Sequence, residues 1–514
     1  MGGVSRRAVL GTGLVAGIGL AVGIPFAVGA SGSSSTGNLV PSTAPLPPAF
    51  VRPLAVPRVL QPVRRSADTD FYEITQQRAT AAILPGPPTE IWGYEGTFPG
   101  PTLVSRRGRR TVVTHTNRLP VPTVVHLHGG EVPEESDGYP TDYVHPAGMS
   151  SMDMGGMAGN VSHGSRTYTY PVDQRAATLW YHDHRMDFTG PSVWRGLAGF
   201  HLVRDDEEDA LGLPSGDREL PLMIMDRSFG ADGSLLYPSV DRTLTRIPGV
   251  GDGFVAGVLG DVMLVNGAPW PVATVDGATY RLRILNACNA RRLSLRLDPP
   301  PPGGLVQIGS DGGLLAAPAV HDHVELAPAE RFDLLVDFGG YRPGSVVRLV
   351  NDFGSDRTSE VAQFRVGPAT APPYRIPDRL STVDPIDPAE AVTTRTMQFR
   401  SGRIGGMRGW LVNGAPFTPD TAAASVRAGS VEIWRLVTDF HHPIHLHLQP
   451  FQVLSRGIDG PGPFDAGWKD TLDLRPAEEA AIAIRFGRYP GRYVFHCHNL
   501  EHEDMAMMAN VVVA

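Results

Sequence analysis

His496-Cys497-His498-Asn499-Leu500-Glu501-His502-Glu503-Asp504-Met505-Ala506-Met507 lies close to the C-terminus and follows an apolar run, Tyr493-Val494-Phe495, that reads as a strand. Cys497 is one of two cysteines in 514 residues. Successive side chains of a strand alternate faces, so Cys497 points one way while His496 and His498 point the other. A thiolate, His502 five residues on and Met507 ten residues on supply the Cys, His and weak axial Met of a blue electron-transfer copper. The flanking histidines then serve different metals behind it. One strand thus wires one copper site to another through covalent bonds.

The missing ligands lie elsewhere in the chain. His126-Leu127-His128-Gly129, His182-Asp183-His184 and His442-Pro443-Ile444-His445-Leu446-His447 are three further clusters, and together the four hold ten of the seventeen histidines. Imidazole is a common copper ligand, and two His at i and i+2 share one face of a strand, which lets a short strand reach two neighbouring metals. Unrelated core or surface histidine pairs do not account for four clusters, a Cys and a Met in an order that closes one ligand set.

As a set, these motifs resemble the multicopper oxidases of the three-cupredoxin-domain type, from about residue 70 to the end. Asp137-Gly138, Trp180-Tyr181-His182-Asp183-His184, Leu264-Val265-Asn266-Gly267 and Gly467-Trp468-Lys469-Asp470 are similar to stretches of the bacterial spore-coat laccases and bilirubin oxidases. The resemblance implies an all-β fold of three consecutive cupredoxin-like Greek-key β-sandwich or barrel domains and four copper ions. It implies type 1 copper on His442, Cys497, His502 and Met507, and type 2 copper on His126 and His445. It allots His128, His182 and His496 to one type 3 ion, and His184, His447 and His498 to the other. Glu503 and Asp137 occupy the positions of the family's proton-supplying carboxylates. Glu503 is expected to face away from the type 1 site on a regular strand, and Asp137 to sit in a loop.

Composition agrees with many short strands: 59 Gly, 47 Pro and only 19% charged residues. A formal net charge of -8 gives nucleic-acid binding no electrostatic support. Lys469 is the only lysine, a skew that reads as codon bias, so the arginines need no guanidinium-specific role. Cys288 has no partner if Cys497 binds copper, and reads as a buried small hydrophobe.

Ser5-Arg6-Arg7-Ala8-Val9-Leu10 and the Gly- and Ala-rich apolar stretch after it read as a twin-arginine signal, residues 1–30, with Val28-Gly29-Ala30 offering small residues for cleavage. The expected location is therefore periplasmic, secreted or at the cell surface, with no stable membrane span. Residues 31–69, rich in Ser and Pro, are expected to be a disordered tether. Three blocks follow: 70–205 with the first two clusters, 216–367 without a ligand motif, and 389–514 with the last two. Ligands from the outer blocks place a trinuclear site between them, and the middle block is expected to be a spacer. Its His321 and His323 read as part of a surface strand.

Met149, Met152, Met154 and Met157 crowd nine residues between His145 and His163. Thioethers are soft ligands that select Cu(I). The favoured reading is a laccase-like oxidase that passes electrons from phenolic or other small aromatic reductants, entering near an exposed edge of His502, to O2. A cuprous oxidase fed by the Met-rich segment is the alternative. The intact ligand set argues against a metal-free structural relative, and length argues against a two-domain nitrite reductase.

Overall fold

The computed structural model describes residues 37–148 and 159–514. The twin-arginine segment and the four loop methionines lie outside the described residues.

Strands dominate, and their sheets pair by sequence block. In the first block, Thr69–Ala81, Thr89–Tyr94, Arg110–Asn117 and Ser165–Tyr170 form one sheet with the short Arg64–Arg65 strand. Leu103–Arg106, Ala198–Arg204, Ala177–Asp183 and Val125–His128 form the other. The middle block pairs a seven-stranded sheet with a five-stranded one. Two five-stranded sheets make the third block, one of them carrying His442–Leu446 next to Gly491–Cys497. None of these sheets closes on itself, so the architecture is three sandwiches rather than barrels. Parallel pairs, such as Ala391–Ile404 with Val431–Thr438, join strands that are not consecutive, as Greek-key crossovers require.

Alternation explains why these segments are strands. Ser165–Tyr170 runs exposed, buried, exposed, buried, with Arg166, Tyr168 and Tyr170 inward. The ligand strands depart from that pattern: Val125–His128, Ala177–Asp183 and His442–Leu446 are buried at every position. Their second face has no solvent to meet because it packs toward another block.

Residues 37–69 are not a loose tether. Asn38–Val40 pairs in parallel with Val258–Gly260, the Ser42 amide donates to Asp261 Oδ2 at 2.8 Å, and the Phe50, Leu54 and Leu60 amides donate to the Trp270, Val272 and Thr102 carbonyls. Proline-rich chain lacks donors for a sheet of its own, yet its remaining N–H groups find acceptors on the first and middle blocks. The acidic run after Arg204 likewise folds inward. Asp206–Ala210 is a short helix capped by Asp205, and its Glu208 meets Arg281 and Arg283 of the middle block. Cys288 is buried and free. Among the described residues no helix is long and apolar enough to cross a membrane.

Candidate metal centre

Strand register assembles the site. Val125–His128 pairs antiparallel with Ala177–Asp183, placing His126 opposite His182 and His128 opposite Trp180. In the third block His442–Leu446 pairs antiparallel with Gly491–Cys497, placing His445 opposite His496 and Ile444 opposite Cys497. Directly opposed residues share a face, so each pairing doubles the ligands that one strand offers. His442, Cys497 and His502 gather on one side of the third block's sheet. His126, His128, His182, His184, His445, His447, His496 and His498 gather on the other, and all of them are buried.

Around Cys497, Sγ lies 3.4 Å from His442 Nδ1 and 3.5 Å from His502 Nδ1, and the two Nδ1 atoms are 3.0 Å apart. Met507 is buried in the same apolar cluster as Cys497. Both imidazoles turn Nε2 outward, His442 to Asp439 Oδ1 and His502 to the Ala256 carbonyl, each at 3.1 Å. These bonds fix Nδ1 as the free ring nitrogen. Burial pushes the Cys497 thiol well up, so only a bound cation makes it a thiolate, and metal uptake there releases a proton. The expected exposed edge of His502 is absent. His502 is 0% exposed, because Trp410 stacks on its ring at 3.7 Å and Ala256 closes its outer nitrogen.

Behind the strand the histidines fall into three groups. His126 Nε2 faces His445 Nε2 at 3.4 Å. His496 Nε2 lies 3.2 Å from both His184 Nε2 and His447 Nε2. The ring of His498 lies 5.1 Å from that of His128 and 5.3 Å from that of His182. This geometry exchanges two residues of the expected allotment: His496 joins His184 and His447, and His498 joins His128 and His182. Alternation puts both on the same face, but only the register with the neighbouring strand says which group each reaches.

The ring nitrogens that point inward fit a metal cluster. His128 Nδ1, His182 Nε2 and both nitrogens of His498 have no hydrogen-bond partner among the described residues. Burial, reinforced by neighbouring imidazoles, lowers His182 to about 3, and burial lowers His184 to about 4. The rings are neutral and present lone pairs to one another, an arrangement that a shared cation satisfies. Imidazoles backed by a thiolate are the donor set that suits copper.

Outer partners hold each ring. Nδ1 of His126, His182 and His445 donates to the Asp137, Asp183 and Asp470 carbonyls at 2.6, 2.9 and 2.8 Å. His447 Nδ1 donates to Asp137 Oδ2 at 2.8 Å. His128 is reversed: its Nε2 meets Asp470 Oδ1 and Thr471 Oγ1 at 3.1 Å, which frees Nδ1. Glu503 lies 3.2 Å from His496 Nδ1 and 3.5 Å from His184 Nδ1, and accepts from Thr189 Oγ1 at 2.6 Å. Both acids sit on short helices, Glu134–Asp137 and Leu500–Asp504, rather than on a loop and a strand. Their environments diverge. Burial raises the Asp137 carboxyl, whereas His184 and His496 overcome the burial of Glu503 and hold it well below the usual range.

The middle block is more than a spacer. Its Arg331, wholly buried, donates from Nη1 to Asp470 Oδ1 at 2.7 Å, from Nε to the Thr178 carbonyl at 2.9 Å, and from Nη2 to the Asp311 carbonyl at 3.1 Å. That use of several donors in one plane is a guanidinium-specific role, contrary to the expectation from composition. Lys469 pairs with Asp311 at 3.1 Å and Glu330 at 2.9 Å in the same network. Arg331 carries no motif; only its reach across three blocks reveals it.

The match to known proteins agrees with this geometry. Two multicopper oxidase family models match the chain, one at residues 75–208 and the other at 383–514, the two segments that hold every ligand described above. Laccase of Bacillus subtilis (strain 168) is 36% identical over 89% of this chain and 97% of its own. The chain belongs to the multicopper oxidases. Within that family it is of laccase type and uses oxygen. Bilirubin oxidase of Albifimbria verrucaria is 34% identical to this multicopper oxidase over 93% of the chain and 84% of its own. Among solved structures, the laccase of Pediococcus acidilactici superposes with a TM-score of 0.79 at 31% identity, covering 92% of this oxidase and 95% of that chain.

Proposed function

We propose that this oxidase takes single electrons from phenols, aminophenols or bilirubin-like aromatics and reduces O2 to water with four copper ions. The observation that carries the reading is one covalent segment, His496-Cys497-His498, that belongs at once to a thiolate site and to a cluster of eight buried histidines. Type 1 copper takes His442, Cys497, His502 and Met507. Type 2 takes His126 and His445. The type 3 ions take His128, His182 and His498, and His184, His447 and His496. Copper bound there supplies one-electron acceptance at the thiolate site and oxygen reduction at the cluster.

The chain's own residues supply the rest. Reduction of O2 to two water molecules consumes four electrons and four protons, and bound imidazoles have none to give. Glu503 and Asp137 hold and pass them at their carboxyl oxygens, each in contact with ligand rings of the cluster. Their opposed environments suit different steps, with Asp137 keeping a proton and Glu503, held ionised, taking one up and passing it on. Gly129 and Leu446, each next in sequence to a cluster histidine, line a cavity of about 440 Å3 together with Glu131, Gln449 and Asp470, an approach for O2. Export by the twin-arginine pathway to the periplasm or cell exterior belongs to the same reading.

A second reading, cuprous oxidation at Met149, Met152, Met154 and Met157, draws support from His145 and His163. They stack at 5.4 Å on the paired two-residue strands Val144–His145 and Ser162–His163. Oxygen uptake by the copper-loaded protein with 2,6-dimethoxyphenol or with Cu(I) separates the two. Fast uptake with the phenol and little with Cu(I) is expected; the reverse overturns the laccase reading.

A further inference from the structure

His502 has no route to solvent of its own. One face is covered by Trp410, which is 2% exposed and donates from Nε1 to the Val255 carbonyl at 3.1 Å. The outer nitrogen donates to the Ala256 carbonyl, which also accepts from Asn499 Nδ2 at 3.0 Å. Val255 is buried in the same cluster as Cys497 and Met507, while Phe254 and Ala256 on either side are partly exposed. A short segment of the middle block therefore stands between the type 1 ligands and water, and the carbonyl of its partly exposed Ala256 is the point that meets His502. The segment is clamped from outside. Asn38 donates from its amide to Gly257 O at 2.9 Å and from Nδ2 to Gly253 O, and Asn38–Val40 continues as a strand along Val258–Gly260.

We propose that the Ala256–Gly257 peptide is the electron-entry bridge of this oxidase, so that a reductant docks on the Phe254–Ala256 surface and never touches the His502 ring. This rests on the assignment of His502 as a type 1 ligand. The reductant gives up one electron and a phenolic proton leaves to bulk water; a copper ion held by His442, Cys497 and His502 would supply the one-electron acceptor. Entry through a peptide selects for driving force and for a flat contact, not for a ligand that reaches the imidazole edge. Donation from Nε2 to a carbonyl also raises the basicity of the ring, which favours Cu(II) and lowers the type 1 potential.

Gly257 offers the test. Its φ of +136° is a conformation that side-chain-bearing residues rarely adopt, so Gly257→Ala must rotate the peptide that carries the Ala256 carbonyl. Anaerobic stopped-flow reduction by hexacyanoferrate(II) and by 2,6-dimethoxyphenol is followed at the blue band, with the potential measured by spectroelectrochemistry and the copper site checked by electron paramagnetic resonance. The bridge requires a higher potential in Gly257→Ala and yet slower reduction by both donors, about fivefold or more for the loss of one hydrogen bond. Asn38→Ala, which only loosens the clamp, should move both readouts the same way by less. It keeps the test open if Gly257→Ala fails to fold. Unchanged or faster reduction with an intact blue band overturns the bridge, unchanged reduction turning attention to the Asp439–His442 edge. Hexacyanoferrate(II) tests the route even if the phenols prove not to be substrates.

Discussion

Two carboxylates with opposed environments flank the histidine cluster, and substitution separates their roles from those of the ligands. Glu503→Gln keeps the size and loses the carboxylate that takes up and passes a proton. Reoxidation of the fully reduced enzyme by O2 should slow about a hundredfold, the usual span for losing a positioned acid or base, while the blue band stays. Stopped-flow mixing with O2 measures it, and a normal rate refutes the role. Cys497→Ser should abolish the blue band outright and leave the histidine cluster able to bind copper, read by absorption and metal content. At this scale the sequence was nearly sufficient for the ligands, because i, i+2 spacing on a strand carries geometry by itself. It was not sufficient for His496 and His498. Alternation makes them equivalent, and the distinction resides in the register of His445 against His496. Glu503 was misplaced for a related reason: five residues, Leu500–Asp504, fold as a helix too short to show a period.

Between the elements, charge holds the blocks in place. Arg331→Lys keeps the charge but loses the planar fork that meets Asp470, Thr178 and Asp311. Unpaired buried charges cost roughly 3–5 kcal/mol, so thermal scanning should show a large drop in melting temperature, together with weaker copper retention on dialysis. Glu219 offers a pH-dependent case. It lies against Arg204 and Arg283, and although burial raises its carboxyl, these guanidinium groups hold it at about 2, below its ordinary 4.5. A depressed folded pKa stabilises the fold above pH 4.5 and loses that contribution as pH falls toward 2, a difference of roughly 3 kcal/mol. Glu219→Gln should therefore melt well below the parent at pH 7, with the gap shrinking at pH 3; a gap that does not change with pH contradicts the assignment. None of these long-range pairs has a local signature. The strands did, through alternation, and so did the turns, through Gly and Pro. The tether expected over 31–69 fails at residues 37–69, because composition cannot show that the first and middle blocks provide acceptors for its amides.

Across the whole molecule, the ligand cluster is a staple. His126, His128, His182 and His184 come from the first block and His445, His447, His496 and His498 from the third, and their ring nitrogens approach to within 3.2–3.4 Å. Metal that binds the folded form alone stabilises it by mass action, so chelation should lower the melting temperature and expose cleavage sites where the blocks meet. Fold class was legible here because the four motifs imply an architecture; the cover over His502 was not, since Ala256 and Trp410 are ordinary residues brought together from distant parts of the chain. The central claim is that one thiolate site holding one copper ion and one histidine cluster holding three are joined through His496-Cys497-His498. Electron paramagnetic resonance of the copper-loaded oxidase, integrated against total copper, tests it most directly. A type 1 and a type 2 signal of equal weight, together accounting for about half the copper because a coupled type 3 pair is silent, is the predicted result. All copper visible, or a blue signal with no second component, would contradict it.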